Sequence, residues 1–568
     1  MTVPLARWRS VVRTGFVFST AIVAMLALAA PAGAASKYLK ASSYPGMSTF
    51  QCRTDAITIY PGQNLNLYGQ TQTCPNAKKV SGPGSASIFS TPANGFVTRF
   101  EPSMVEIKPS GKLVTPSVWD LHLHHVVWLA PSGGPTFASG EEKTIASQPK
   151  GYGLPVKANA NWGLNYMLHN LGASKNRQVY ITWEIDWVPQ TSPARTDIQP
   201  TQVHWLDTAN AHIYPVFDAA KEYDLNGDGK YVFPDEALAA TPSDPGYSER
   251  QNVGGGRKWT LTKPETLVFA AGHLHPGGKH VDITVTRNGE TRRLFTSRAH
   301  YYEPAGAVSW DVSMTATPRD WRVSLKAGDT VSVSVTYDVS KSSWYESMGI
   351  MPLSYSDAAD PKAMDPFDDA TAFDAMRNEG GTLTHGRLKE NIDSKARKNL
   401  KLPNPQKLGK GVPLPAGGVE IDSFLFSPGG FTAQKDFPTS LMRPTTIDTG
   451  QSVTFTNTEA MFSNPAAPDN QQVWHTITSC KAPCNRGSGI GYPLAGGRVP
   501  FDSGQLGYGT DFTAADNGGY NINASVTNAS DTYTTPKFNK PGTYTYFCRL
   551  HPLMRGSIRV VGPNKLSG

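Results

Sequence analysis

Gly542-Thr543-Tyr544-Thr545-Tyr546-Phe547-Cys548-Arg549-Leu550-His551-Pro552-Leu553-Met554-Arg555-Gly556 is the stretch on which the fold and chemistry of this chain turn. Thr543 to Phe547 mixes β-branched and aromatic residues, as a strand does. It runs straight into a tight loop carrying Cys548, His551 and Met554. A thiolate, an imidazole and a thioether form a soft donor set that suits copper, because sulfur favours Cu(I) while imidazole still tolerates Cu(II). A second imidazole, His475 in Val473-Trp474-His475-Thr476-Ile477, is expected from a separate strand, so that the ion would clamp two ends of one sandwich. The cysteine count agrees. Of five cysteines, Cys52 and Cys74 lie close together, as do Cys480 and Cys484, and both pairs could be bridged. Cys548 is left over, and in an exported chain a metal thiolate explains it better than an oxidisable free thiol.

The same segment resembles the copper loop of cupredoxins, the amicyanin and plastocyanin group. Upstream, Gly450-Gln451-Ser452-Val453-Thr454-Phe455-Thr456-Asn457 resembles the strand that precedes the first histidine ligand in that family. The resemblance covers nearly all of residues 418–568. It implies a Greek-key β-sandwich holding a type 1 copper on His475, Cys548, His551 and Met554.

Outward from this domain the whole chain reads as all-β. Its 568 residues exceed what one core can hold. Hydrophobic residues at 39% with 53 Gly and 44 Pro describe a folded, loop-rich chain. Residues 1–34 read as a secretory signal: Arg7, Arg9 and Arg13 precede an apolar run from Gly15 to Ala30 and a small-residue end at Ala32-Gly33-Ala34. An uncleaved anchor is the competing reading, although the run is shorter than the ~20 residues of a spanning helix. No later segment spans a membrane, so the expected location is secreted or extracytoplasmic. Without the leader's three arginines the formal charge of +7 falls to +4, too little to point to nucleic acid.

Residues 35–215 carry short β-branched and aromatic runs such as Ile57-Thr58-Ile59-Tyr60, the pattern of a sandwich. Residues 216–250 form an acidic insert. A second β domain is expected over 251–379, where Val331-Ser332-Val333-Ser334-Val335 alternates cleanly. Residues 380–417 turn basic and Pro/Gly-rich and read as a linker to the domain at 418–568.

Three histidine motifs precede that linker: Asp120-Leu121-His122-Leu123-His124-His125, Tyr166-Met167-Leu168-His169-Asn170, and Ala271-Gly272-His273-Leu274-His275. In a strand, i and i+2 share a face, so His273 with His275, and His122 with His124, can each reach one ion. With Pro149-Lys150-Gly151-Tyr152-Gly153-Leu154-Pro155-Val156 and Glu346-Ser347-Met348-Gly349-Ile350-Met351, these motifs resemble the copper type II, ascorbate-dependent monooxygenases, the group of peptidylglycine α-hydroxylating and dopamine β-monooxygenases. The resemblance spans about residues 95–355. It implies two jelly-roll sandwiches, an electron-storing copper on His124, His125 and His169, and an oxygen-binding copper on His273, His275 and Met348. Adjacent His124 and His125 can share an ion only if the strand bulges there. His122 is the substitute ligand, and Met351 the substitute for Met348.

Within the insert, Asp224-Leu225-Asn226-Gly227-Asp228-Gly229-Lys230 matches the opening of an EF-hand loop. Donors are expected from Asp224, Asn226, Asp228, Lys230 and, at position 12, Asp235, with Glu236 one place later; a solvated acidic turn is the alternative.

Together these features lead to an expectation of a secreted multi-copper oxidoreductase that hydroxylates a C–H bond of an unidentified organic substrate with O2. Its electrons would come from a donor protein or a small reductant such as ascorbate, through the type 1 copper. The alternative is a non-enzymatic copper-binding, electron-transfer or storage protein. A copper nitrite reductase, which also uses cupredoxin domains, fits less well because one such domain is evident.

Overall fold

The computed structural model describes most of residues 38–563; residues 1–37, 245–257, 394–410, 432–442, 461–474, 481–499, 507–526 and 564–568, with shorter loop pieces, are outside the described residues. The leader, Cys484 and part of the expected linker fall there.

The described chain is all-β and builds three sandwiches. In the first, a nine-stranded sheet centred on Asn94–Ile107 and Arg177–Pro189 faces a four-stranded sheet. The four strands run in the order Asn64–Gln72, Asn161–Asn170, Leu121–Leu129, Pro135–Ser139. Buried positions of Asn94–Ile107 mostly alternate with half-exposed ones, so one face meets the core. Phe100, Trp128, Phe137, Trp183 and Trp187 fill the space between the sheets, and burying each such side chain contributes on the order of 2–3 kcal/mol. Leu121–Leu129 differs: nearly every position is buried, because its outer face is covered by the second sandwich. The Cys52–Cys74 disulfide, with Cα atoms 4.8 Å apart, closes the edge of the first sandwich. Such a bond belongs to an oxidising, extracytoplasmic compartment. Cys480 is also disulfide-bonded.

The second sandwich pairs a five-stranded sheet around Gly349–Ser356 with a seven-stranded sheet around Thr330–Asp338 and Gly278–Arg287. It draws in segments that local pattern assigns elsewhere. Gln202–Asp207 hydrogen bonds along Gly349–Ser356, and Lys230–Phe233 of the acidic insert adds to Thr330–Asp338. Thr382–Leu383, from the expected linker, pairs with Val312–Ala316. Just beyond it, Asn391 accepts from Val118 N–H at 3.1 Å and donates to Asp311 at 3.0 Å, fastening this segment to both sandwiches. Such pairings depend on distant partners and leave little trace in local periodicity.

The third sandwich packs a six-stranded sheet containing Gly542–Phe547 and Arg555–Val561 against a four-stranded one containing Val419–Asp422 and Thr454–Asn457. One cluster of buried apolar side chains runs from Val118 and Trp119 through the second sandwich into the third, where it includes Cys548 and Met554. Among the described residues no helix is long and apolar enough to cross a membrane.

Candidate metal centres

In the third sandwich, Cys548 follows directly on Gly542–Phe547. Its N–H donates to Met554 O at 3.0 Å, and Met554 N–H donates to His551 O at 2.7 Å, so the loop closes on itself. Cys548 Sγ lies 3.6 Å from His551 Nδ1 and 3.9 Å from His475 Nδ1, and the two Nδ1 atoms are 3.2 Å apart. Thr476 N–H also points at the sulfur, at 3.3 Å. His475 Nε2–H donates to Glu459 at 2.9 Å, which turns Nδ1 toward the sulfur.

His475, Cys548 and His551 are all buried, their ligand atoms lie within 4.8 Å of one another, and they could hold a metal ion. Burial raises the Cys548 thiol, but the neighbouring His551 and His475 outweigh it and hold the thiol well below its usual range, as a thiolate. Burial lowers His475, yet its hydrogen bonds to Cys548 and Glu459 push it up to about 9. Thiolate plus two imidazoles is a donor set that fits copper. Met554 is buried beside them, only 1% exposed. Two contributors escape sequence reasoning. Glu459 orients His475, and Phe424, at φ 61°, sets its ring edge-on to both imidazoles, 5.4 and 4.9 Å away. A bulky residue in that left-handed region is held there by its surroundings.

The three upstream motifs come together where the first and second sandwiches meet. His169 stands opposite His122 in the register of Asn161–Asn170 with Leu121–Leu129, and the register shifts just beyond, leaving His124 as the extra residue of a bulge. That bulge brings His124 Nδ1 within 3.4 Å of His125 Nδ1. The His122, His124 and His169 rings lie 5.0 to 5.6 Å apart, and His275 of the second sandwich lies 4.7 Å from His124. Trp310, which carries no motif, packs on His122, His124 and His275 at 4.4, 5.1 and 4.8 Å.

Burial, then the charges of neighbouring histidines, holds His122, His124 and His169 well below the usual imidazole range, so they are neutral. Burial and His273 similarly push His125 down to about 3, against a hydrogen bond to Asn165.

His273 and Met348 face a neighbouring cavity of about 40 Å³, lined also by His125, Glu142 and Trp205. Met348 lines it, whereas Met351 does not. His273 Nδ1–H donates to buried Glu142 at 3.0 Å. Burial raises that carboxyl, but His273 and the Gly140 N–H bring it below its ordinary value. The Tyr337 hydroxyl accepts from His275 N–H and Met348 N–H at 3.1 and 3.0 Å and donates to Met348 O at 2.8 Å, locking those two backbones together. Gly140 is required here: a Cβ would stand 2.8 Å from Glu142 Oε2, His124 O and His273 Cε1. Sequence grouped His124 with His125 and His169, and His273 with His275 and Met348. The structure also sets His122 beside His124 and His169, and His275 against His124.

In the insert, Asp224 accepts from the N–H groups of Gly227, Asp228 and Gly229. Asp228 Oδ1 accepts from Lys230 N–H. Asp235 lies exposed at the start of the helix Asp235–Ala239. Glu236 folds back over the loop, accepting from Asn226 Nδ2 at 2.7 Å and Val232 N–H at 2.6 Å. Burial, with the charges of Asp224 and Asp228, raises the Glu236 carboxyl.

No protein-family model and no curated protein matches the chain. Among solved structures, a Cu-containing nitrite reductase from Thermus scotoductus SA-01 is similar at 13% identity and TM-score 0.14, over 54% of this chain and 59% of that one. The chain thus spans about three fifths of that protein. The infectious bursal disease virus VP2 subviral particle is similar at 10% identity and TM-score 0.16, over 58% of this chain and 75% of that one. Likenesses this faint carry no weight for what the sites do.

Proposed function

We propose that the chain is an extracytoplasmic copper oxidoreductase. His475, Cys548, His551 and Met554 would hold a type 1 copper suited to taking in electrons, and the histidines between the first two sandwiches would hold the copper that uses them. Copper at these residues supplies one-electron redox chemistry, cycling between Cu(I) and Cu(II). With dioxygen as oxidant, hydroxylation balances as R–H + O2 + 2e⁻ + 2H⁺ → R–OH + H2O. The electrons come singly from ascorbate or a donor protein.

The observation that carries this reading is the continuity of the two histidine sites. The apolar core around Cys548 and Met554 is continuous with that of the second sandwich. Burial first, and then the neighbouring His122 and His551, disfavour a proton on His169, so a histidine of the entry site is near enough to the central one to matter to it. Glu459 fixes the His475 ring, Glu142 fixes that of His273, and a small cavity opens beside His125, His273 and Met348. At about 40 Å³ that cavity takes one guest of the size of water or dioxygen. An organic substrate would have to approach from outside it. The small volume also favours a second reading, a copper electron-transfer or storage protein with no organic substrate.

Metal analysis, a visible spectrum and oxygen uptake with ascorbate separate the two. More than one copper per chain, an intense blue band and steady oxygen uptake support the oxidoreductase. One copper per chain and no uptake would leave only the carrier. In the insert, the proposal extends to a structural calcium ion on Asp224, Asn226, Asp228 and the Lys230 carbonyl, closed by Glu236 with Asp235 beside it.

A further inference from the structure

His122 is fully buried, and among the described residues neither of its ring nitrogens has a hydrogen-bond partner. Nor has Nε2 of buried His169. A buried polar group left in this way costs roughly 1–3 kcal/mol, a cost that a bound ion would remove. Spacing points to the same ion for several rings. With a metal–nitrogen bond of about 2.0 Å, ring centres stand roughly 3.2 Å from the ion, and two tetrahedral ligands then stand roughly 5.2 Å apart. The pair at the thiolate site, His475 and His551, stands at 5.0 Å. The central spacings are 5.6 Å for His122 to His124, 5.0 Å for His169 to each of them, and 4.7 Å for His124 to His275.

Hydrogen bonding separates His125 from this set. Its Nε2–H donates to Asn165 Oδ1 at 2.9 Å, so its Nδ1 bears the lone pair and faces His124 Nδ1 at 3.4 Å. His124 is then protonated on Nδ1 and carries its own lone pair on Nε2. The chain Asn165–His125–His124 is the kind of support that fixes a ligand's tautomer and direction.

We propose that His122, His124, His169 and His275 form one all-imidazole copper site bridging the first and second sandwiches, with His125 as a positioning residue. The choice of copper rests on the function proposed above; the existence of a site does not. The ring nitrogens of these four do not yet converge as those of His475 and His551 do. Closing them on one ion needs rotation about χ2, a torsion with a broad minimum. Four neutral imidazoles bring no negative charge, so a buried ion is favoured in its lower charge state, Cu(I).

Copper titration of the full-length Cys548→Ser chain, which lacks the blue site, tests this. Pulsed EPR of its oxidised form should count four imidazole nitrogens on one copper. His122→Ala in the same background should weaken copper binding by more than 100-fold, whereas His125→Gln, which disturbs only the support, should weaken it by 10- to 100-fold and keep the four-nitrogen signature. Near-UV circular dichroism of each variant establishes that it has folded. If His122→Ala does not fold, the nitrogen count on the parent chain decides. Two or three imidazoles, or unchanged affinity in a folded His122→Ala chain, overturn the proposal. So does an absence of central copper in Cys548→Ser. A missing blue band in the unmodified chain sinks the electron-entry reading instead and leaves this site standing.

Discussion

The two histidine sites are put together in opposite ways. At the C-terminal site every proposed ligand comes from one sandwich, and three of them from a single loop closed by its own backbone hydrogen bonds. The central cluster draws His122, His124 and His169 from one sandwich and His275 from the next, so its geometry depends on an interface. That interface is polar as well as apolar. Gln148 donates to Ser354 at 2.9 Å, His385 Nε2–H to Glu142 O at 2.5 Å, and Asn391 joins Val118 to Asp311. A site on one loop is preorganised by local folding, whereas a site across an interface is only as rigid as the contacts behind it.

The largest effect that should separate them is complete. Cys548→Ser removes the thiolate of the C-terminal site, so the blue absorption should vanish and the copper content fall by one per chain while central copper stays. Metal analysis beside the visible spectrum checks this. Loss of central copper as well would mean that the two sites are not built independently. The interface gives the converse. Asn391→Ala leaves Val118 N–H and one Asp311 oxygen without their partner, at a cost of about 1–3 kcal/mol. Asp311 adjoins Trp310, which packs on three of the central rings. Central copper should therefore bind more weakly and the unfolding midpoint fall, with the blue band unmoved. A shifted blue band would contradict the comparison.

The same contrast governs what could be read in advance. The Cys548, His551 and Met554 loop is legible because its donors sit a few residues apart, and alternation such as that of Thr330–Asp338 makes the all-β fold legible. Glu459, Phe424, Glu142 and Trp310 give no such signal, since each reaches its histidine from a different turn or loop. His122 and His124 were readable as an i, i+2 pair, but the bulge that turns His124 toward His125 exists only in the pairing with Asn161–Asn170. Gln202–Asp207 and Lys230–Phe233 look like parts of other units until their partner strands in the second sandwich are seen.

The smallest expected effect concerns calcium. Lys230–Phe233 follows the Asp224–Asp228 turn and pairs with Thr330–Asp338, in the sandwich that supplies His275. An ion in that turn would therefore steady the central site and not the blue one. Asp224, Asp228 and Glu236 crowd like charges together, which is part of why the Glu236 carboxyl is raised. A divalent cation would relieve that crowding and displace Lys230 Nζ, now 2.7 Å from Asp228. At a hundredfold excess over its dissociation constant it would add about 2.7 kcal/mol to stability. Thermal unfolding with and without calcium should show a rise in the transition that releases central copper and none in the loss of the blue band. Glu236→Gln keeps one carbonyl acceptor where the carboxylate has two, for Asn226 and Val232, and loses the closing charge, so its calcium-dependent rise should shrink or disappear. An equal rise in that variant would remove Glu236 from the loop's ligands, and a rise shared by the blue band would show that the two regions unfold as one.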